Sequence, residues 1–123
     1  MPRQITSYRD LLAWQEAMNL AELAYLMAAE LPRDELYGSS SQIKRSAVSV
    51  PANIAEGYGR DNKGSYVHQL RVAQGSLKEL ETHVLIGQRV KLLPTAEVQA
   101  MLELADRVGR LLRGLIRSLE PNT

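Results

Sequence analysis

Ser65-Tyr-Val-His-Gln-Leu-Arg-Val-Ala-Gln-Gly-Ser-Leu-Lys-Glu-Leu-Glu-Thr-His-Val-Leu-Ile-Gly-Gln-Arg-Val90 contains no proline. Its apolar positions Tyr66, Leu70, Ala73, Leu77, Leu80 and Val84 step by four and three in alternation. That is the spacing of one helical face packed along a seam. A helix over this stretch is roughly 39 Å long at 1.5 Å per residue. Such a stripe cannot bury itself, so the flanking sequence must supply partners. No window of the chain sustains period-two alternation between turn signals, which weakens any strand reading.

Upstream, Gly57-Tyr-Gly-Arg-Asp-Asn-Lys-Gly64 is a glycine-rich connection. Before it, Ser39 to Ser41 offer N-caps for a second helix that runs to about Glu56 and stops at Gly57, which suits a left-handed C-terminal residue. Pro51 sits well inside that helix, where it removes a backbone hydrogen bond and predicts a kink between Ala47 and Pro51. Ser46, Ser49, Ala52 and Ala55 keep the helix thin, so a neighbouring backbone can come close. Downstream, Lys91 to Pro94 turn the chain, and Thr95 can cap a fourth helix that ends near Leu119, before Pro121. Met101, Leu104, Val108, Leu111, Leu115 and Leu119 gather on one of its faces. A first helix is expected from Ser7, as N-cap, to just before Pro32. Its packing stripe reads as Leu11, Trp14, Met18, Ala21, Tyr25 and Ala28, yet Leu12, Leu20, Leu23, Leu26 and Met27 lie largely outside it. So wide an apolar arc fits either a subunit interface or a central, well-buried helix. Three short connections between long helices predict an all-α, antiparallel up-down-up-down four-helix bundle with a proline-kinked second helix, one domain over residues 1–123.

Composition narrows the function. Fifteen basic and fourteen acidic side chains give a net charge of +1, so global charge does not argue for nucleic acid. The absence of cysteine excludes disulfides and thiolate metal sites and favours an intracellular protein. The N-terminal residues lack the apolar core of a signal peptide. The longest uncharged run, Ser46 to Ala55, is too short to cross a bilayer. A cytoplasmic protein with no membrane role is the expectation.

No catalytic constellation stands out. The glycine-rich connection resembles a phosphate loop only in spacing: Ser65 stands where lysine is needed and no strand precedes it. The dinucleotide pattern from Gly57 fails at Asn62. Di-iron bundles need Glu-x-x-His on two helices, but the two histidines, His68 and His83, share one helix and follow Ser65 and Leu80 at that spacing. Glu79 and His83 could bind a metal weakly, or simply hydrogen-bond each other. A hydrolase using Glu56, Glu79 and His83 is the least supported reading. No cofactor is expected. Glu56, Glu79 and Glu81 read better as a part-buried polar network reaching Asn53, Ser76 or a neighbouring helix. Glu56 opposes the helix dipole at a C-terminus, so it should have a specific partner. Basic residues are more suggestive. Arg110, Arg113 and Arg117 share one face of the fourth helix, and Lys44, Arg45, Arg60, Lys63 and Arg71 cluster in sequence around the glycine-rich connection. Such groups can neutralise phosphates, although arginines late in a helix also suit its dipole.

Ser49-Val-Pro-Ala-Asn-Ile-Ala-Glu-Gly57 and Ala73-Gln-Gly-Ser-Leu-Lys-Glu-Leu-Glu81 resemble the four-helix-bundle family linked to 23S ribosomal RNA intervening sequences. Asp10-Leu-Leu-Ala-Trp-Gln15, Tyr37-Gly38 and Gln42-Ile-Lys-Arg45 extend the resemblance to nearly the whole chain. It implies a small non-enzymatic bundle that forms a homopentameric ring. A similar group, the accessory variability determinants of diversity-generating retroelements, binds nucleic acid and a reverse transcriptase through a basic surface. This chain departs from that group in being near neutral. The resemblance makes Trp14, Pro51, Asn53, Glu56, Gly57, Gly75, Ser76, Glu79 and Glu81 structural or interface positions. The expected function is a homo-oligomeric scaffold or adaptor, with weak RNA or DNA contact through Lys44, Arg45, Arg60, Lys63, Arg110, Arg113 and Arg117. The alternative is a protein-partner adaptor whose charges only solubilise it.

Overall fold

A computed structural model describes residues 4–35 and 38–120; Tyr37 of the resemblance and Pro121 lie outside the described residues. Four helices follow in order: α1 (Leu12–Ala29), α2 (Ser39–Tyr58), α3 (Lys63–Arg89) and α4 (Thr95–Leu119). No strand occurs among the described residues. Each helix packs on its chain neighbours, and α4 closes back on α1; among the described residues the diagonal helices do not approach one another as closely along their backbones. Paired positions run in opposite order along α2–α3 and along α3–α4. Gly57 meets Tyr66 while Ser49 meets Ser76. Gly87 meets Leu93, Gly109 meets Leu77, and Arg71 bonds Glu120.

The helix ends follow local chemistry. Ser7 does act as a cap, its Oγ accepting from Arg9 N at 3.1 Å, but of a 3-10 turn at Tyr8–Asp10 rather than of α1. Asp10 returns the favour by accepting from Ser7 N at 3.2 Å. Leu11 is then extended, and α1 starts one residue later. Asn62 caps α3 by accepting from Ser65 N at 2.8 Å, so that helix begins two residues before the predicted Ser65. At its other end Lys91 takes φ 64° and Leu92 N returns to Gly87 O at 2.8 Å, a Schellman-type closure without glycine. Pro94, not Thr95, occupies the N-cap position of α4.

Two predicted faces need correction. The buried line of α1 is Ala13, Ala17, Leu20, Ala24 and Met27, with Leu11, Ala21 and Ala28 beside it. Met18 and Tyr25 of the predicted stripe are exposed. Alanines alternate with Leu20 and Met27 on the core side, while Met18 and Tyr25 point outward. On α4 the buried line is Val98, Met101, Ala105, Val108, Leu112 and Ile116, whereas Leu104, Leu111, Leu115 and Leu119 are its half-buried flank. The α3 seam holds from Leu70 to Val84, with Tyr66 only half-buried. Gly57 is also corrected: α2 runs through it to Tyr58, and no glycine among the described residues has positive φ. It is a helix-interior residue against which α3 packs.

Candidate functional site

The two sequence runs meet along the α2–α3 seam. Ser49 Oγ and Ser76 Oγ lie 2.7 Å apart, and Asn53 Nδ2 donates to Ser49 Oγ at 2.9 Å and to Ser49 O at 2.8 Å. This trio ties the thin part of α2, next to the buried Pro51, to the middle of α3. Gly57 stands one turn beyond Asn53, where an added Cβ would meet Gln69 Cβ at 2.9 Å and Tyr66 O at 3.2 Å. Burial, and then the neighbouring Tyr58, push the Tyr66 phenol above its ordinary pKa.

The carboxylates stay out of that network, and Glu56 and Glu79 are exposed where a part-buried arrangement was expected. Glu56 is exposed and takes Arg60 Nη2 at 2.6 Å. Glu79 is exposed with its Oε1 3.5 Å from His83 Nε2, a pair too poorly aligned to hydrogen-bond, and that buried nitrogen has no hydrogen-bond partner among the described residues. Glu81 is half-buried beside Lys78 at 3.3 Å. Ser76 and His83 are seven residues apart on one helix, roughly 10 Å along its axis, so the imidazole cannot serve that hydroxyl as base. No group of three or more metal-ligating side chains occurs among the described residues. The arrangement binds α2 to α3; it brings no nucleophile to a base.

The outer surface divides into two opposite sides. Lys44 Nζ lies 5.4 Å from the centre of the Tyr25 ring, which puts Tyr25 on the flank of α1 next to α2. Met18 is two turns back on that flank, and Val48 follows Lys44 by one turn on α2. All three are exposed, at 44%, 47% and 42% for Met18, Tyr25 and Val48. Trp14, half-buried and edge-on to Tyr8 at 5.2 Å, continues the strip. Leu12 and Leu26 are exposed on the far flank of α1.

Across the bundle, Arg110, Arg113 and Arg117 line the exposed face of α4. Arg110 is held by Asp106 at 2.7 Å, whereas Arg113 and Arg117 have no ion-pair partner among the described residues. Arg71 on α3 bonds Glu120 at 3.0 Å beside them. The remaining candidate cations are elsewhere. Lys44 and Arg45 sit in the first two turns of α2, and Arg60 and Lys63 at the α2–α3 connection, roughly 24 Å away along the helix. The seven basic residues therefore do not form one patch.

Sequence reasoning missed two features that only tertiary contact creates. Leu23, Leu26, Met27 and Ala100 wall a groove of about 280 Å³ between α1 and α4, rimmed by Glu30 and Glu97. The Glu30 carboxylate facing Glu97 holds the Glu97 carboxyl above the ordinary carboxylate range. Lower on the same side, Asn19 and then Arg107 hold Glu16 below it. The second feature is a cleft between the end of α1 and the start of α2. No helix among the described residues is long and apolar enough to cross a membrane.

The family model described as 23S rRNA-intervening sequence protein matches residues 9–114. No curated protein matches the chain significantly in sequence. A crystal structure of a protein of unknown function from the S23 ribosomal protein family of Bacteroides thetaiotaomicron VPI-5482 superposes with TM-score 0.81 at 19% identity, covering 86% of this chain and 99% of the other. That likeness shows the shared helical fold.

Proposed function

The chain belongs to the 23S rRNA-intervening sequence protein family, and on that premise we propose that it is a non-enzymatic, homo-oligomeric scaffold that holds nucleic acid weakly. Copies associate through the α1–α2 side, in a ring of five as the family resemblance implies. RNA phosphates are held by Arg113 and Arg117 on α4. The observation that carries this reading is the division of the surface: Met18, Tyr25 and Val48 are exposed on one side, while the unpaired arginines face away from it. A contiguous apolar strip favours burial against another protein surface, and free arginines release counterions when they meet phosphates.

Size exclusion with light scattering, run with single- and double-stranded RNA at two salt concentrations, tests both halves. The expected result is a ring-sized particle that Met18→Glu with Tyr25→Glu reduces to monomers, and that picks up RNA only at low salt. Arg113→Gln with Arg117→Gln should abolish the RNA step and leave the particle intact. A monomer at all concentrations refutes the scaffold. A second reading, a protein-partner adaptor, is favoured by the internal pairing of Arg60 and Arg110 and the stacking of Lys44 on Tyr25. A ring that ignores RNA at low salt selects it.

A further inference from the structure

The groove between α1 and α4 has a volume of about 280 Å³ and an apolar lining of Leu23, Leu26, Met27 and Ala100. Leu26 on its wall is 62% exposed, the highest value for a large apolar side chain among the described residues. Apolar surface left open between two packed helices is a groove into which the side chains of a further helix can fit. Such a groove does not by itself say what fills it; here the charges on its rim do.

Glu30 on α1 and Glu97 on α4 face each other at that rim, and neither has a cationic partner among the described residues. The hydrogen bond that Glu97 shares with Glu30 is the main cause of its raised pKa, so the two carboxyls compete for one proton. Glu30 is also the C-cap residue of α1, at the negative end of that helix, where a cation is favoured and a carboxylate is not. Farther along the same flank, Glu16 already holds Arg107, roughly 21 Å from Glu30 along α1. The groove thus joins an apolar floor to a negative rim that no described residue neutralises.

We propose that this groove docks a basic amphipathic helix of a partner protein, with one of its arginines laid along the groove and the guanidinium set between Glu30 and Glu97. The hydrocarbon stem of an arginine covers Leu23 and Met27 while its head stays at the wet rim. Its planar fork presents N–H donors to two carboxylates at once, which a lysine ammonium does less well. Apolar residues one turn away on the same helix cover Leu26, the usual pattern of a helix in a groove. The arriving cation replaces a repulsion by two charge-assisted contacts. A phosphate backbone would meet the same carboxylates as like charges, so nucleic acid does not suit this groove. The groove is separate from the α4 arginines and from the Met18–Tyr25 strip, so it stands or falls without either half of the scaffold reading.

Fluorescence anisotropy tests it, with the intact chain titrated into a labelled synthetic helical peptide. The peptide carries a central arginine with leucines one turn before and after it, on an alanine and glutamine background; in its companions glutamine or glutamate replaces the arginine. The arginine peptide should bind saturably, the glutamine companion about tenfold more weakly for want of the charge-assisted contact, and the glutamate companion not at all. Glu30→Gln with Glu97→Gln should weaken the arginine peptide by about tenfold and erase its preference over the glutamine companion. Leu26→Ala should weaken both severalfold. Leu26 and Glu30 are exposed, so these replacements leave the fold intact, as circular dichroism would verify. Met18→Glu with Tyr25→Glu, and Arg113→Gln with Arg117→Gln, should leave the titration unchanged. No saturable binding, or equal affinity for the arginine and glutamine peptides, overturns the assignment. So does a change of particle size by light scattering in Glu30→Gln with Glu97→Gln, because a second copy would then be what covers the groove.

Discussion

Replacing Gly57 by alanine sets two known effects against each other. In a helix interior, alanine is favoured over glycine by about 1 kcal/mol, and Gly57 has an ordinary helical backbone with no left-handed requirement. Against that, the new Cβ would stand 2.9 Å from Gln69 Cβ, 3.0 Å from Tyr66 Cδ1 and 3.2 Å from Tyr66 O. The tyrosine ring can rotate, but a Cβ and a carbonyl oxygen move only with the α3 backbone. Relief therefore requires α2 and α3 to part by a few tenths of an ångström, along the seam that also holds the Ser49–Ser76 bond. Overpacking of this kind costs about 1–3 kcal/mol, so the net loss should be about 1 kcal/mol, a fall in Tm of about 3–5 °C for a chain of this size. Gly75 is the internal control: it lies mid-helix on α3 with nothing within 4 Å of a built Cβ. Gly75→Ala should raise Tm by a similar amount in the dissociated chain, where its outer face meets no second copy. The assay is thermal unfolding by circular dichroism at one fixed protein concentration, since association would otherwise shift Tm. If both variants gain stability equally, the α2–α3 contact is not close at Gly57 and the reasoning fails.

Three other perturbations address the core, the seam and the acidic rim. Leu77→Asp places an unpaired charge at a position only 1% exposed; it should cost more than about 4 kcal/mol and abolish the helical signal, and a folded variant would refute the assigned core face. Ser49→Ala leaves Ser76 without its partner and removes one bond from Asn53. It should cost about 1 kcal/mol in denaturant unfolding, with the Ser49→Ala, Ser76→Ala double variant costing less than the sum of the singles. Glu97 carries a raised pKa because Glu30 faces it, so the folded state holds its proton more tightly than the unfolded state. That contribution is fully present below the ordinary glutamate range and is lost as pH rises through the raised value. Glu97→Gln should therefore raise Tm at neutral pH and leave it unchanged in acid, and equal effects at both would sink the assignment.

The bundle was legible because its signals were redundant. The α3 seam carries an apolar residue at each step, large at every one but Ala73, and Gly-, Pro- and Asn-rich connections separate the helices, so pattern and punctuation agree. Where the face was misread, the cause was size. On α1 the core positions include Ala13, Ala17 and Ala24, which contribute little to any hydrophobic pattern. Met18 and Tyr25 dominate the pattern but lie outside, while the core side is filled by Leu20 and Met27 with alanines between them. The carboxylates were misplaced for a related reason. Periodicity placed Glu56 and Glu79 near the seam, but only packing shows that Ser49, Asn53 and Ser76 fill the narrow polar gap themselves. The start of α2 was displaced by a one-residue matter of capping. Ser39 to Ser41 read as caps, but the chain places Gly38 there, which turns the serines into the first turn and leaves their N–H groups free.

Two glycines sharpen what the fold leaves unexplained. Gly57 and Gly87 are required by the chain's own packing, since Tyr66 and Leu93 respectively occupy the space of a side chain. Gly75 and Gly114 are not: both are exposed, both interrupt long helices, and neither has an atom within 4 Å of a built Cβ. Each lowers helix stability by about 1 kcal/mol relative to alanine without any return inside one chain. The same holds for Met18 and Val48, whose exposed surface gains nothing from the monomer. Gly75 lies on the outer side of α3 and Gly114 among the α4 arginines, where a smooth helix surface admits close approach by another backbone. Residues that are unfavourable in the isolated bundle and lie on its outside are accounted for most simply by contacts made there. This is why the scaffold reading rests on the outer surface of the bundle rather than on any constellation within it.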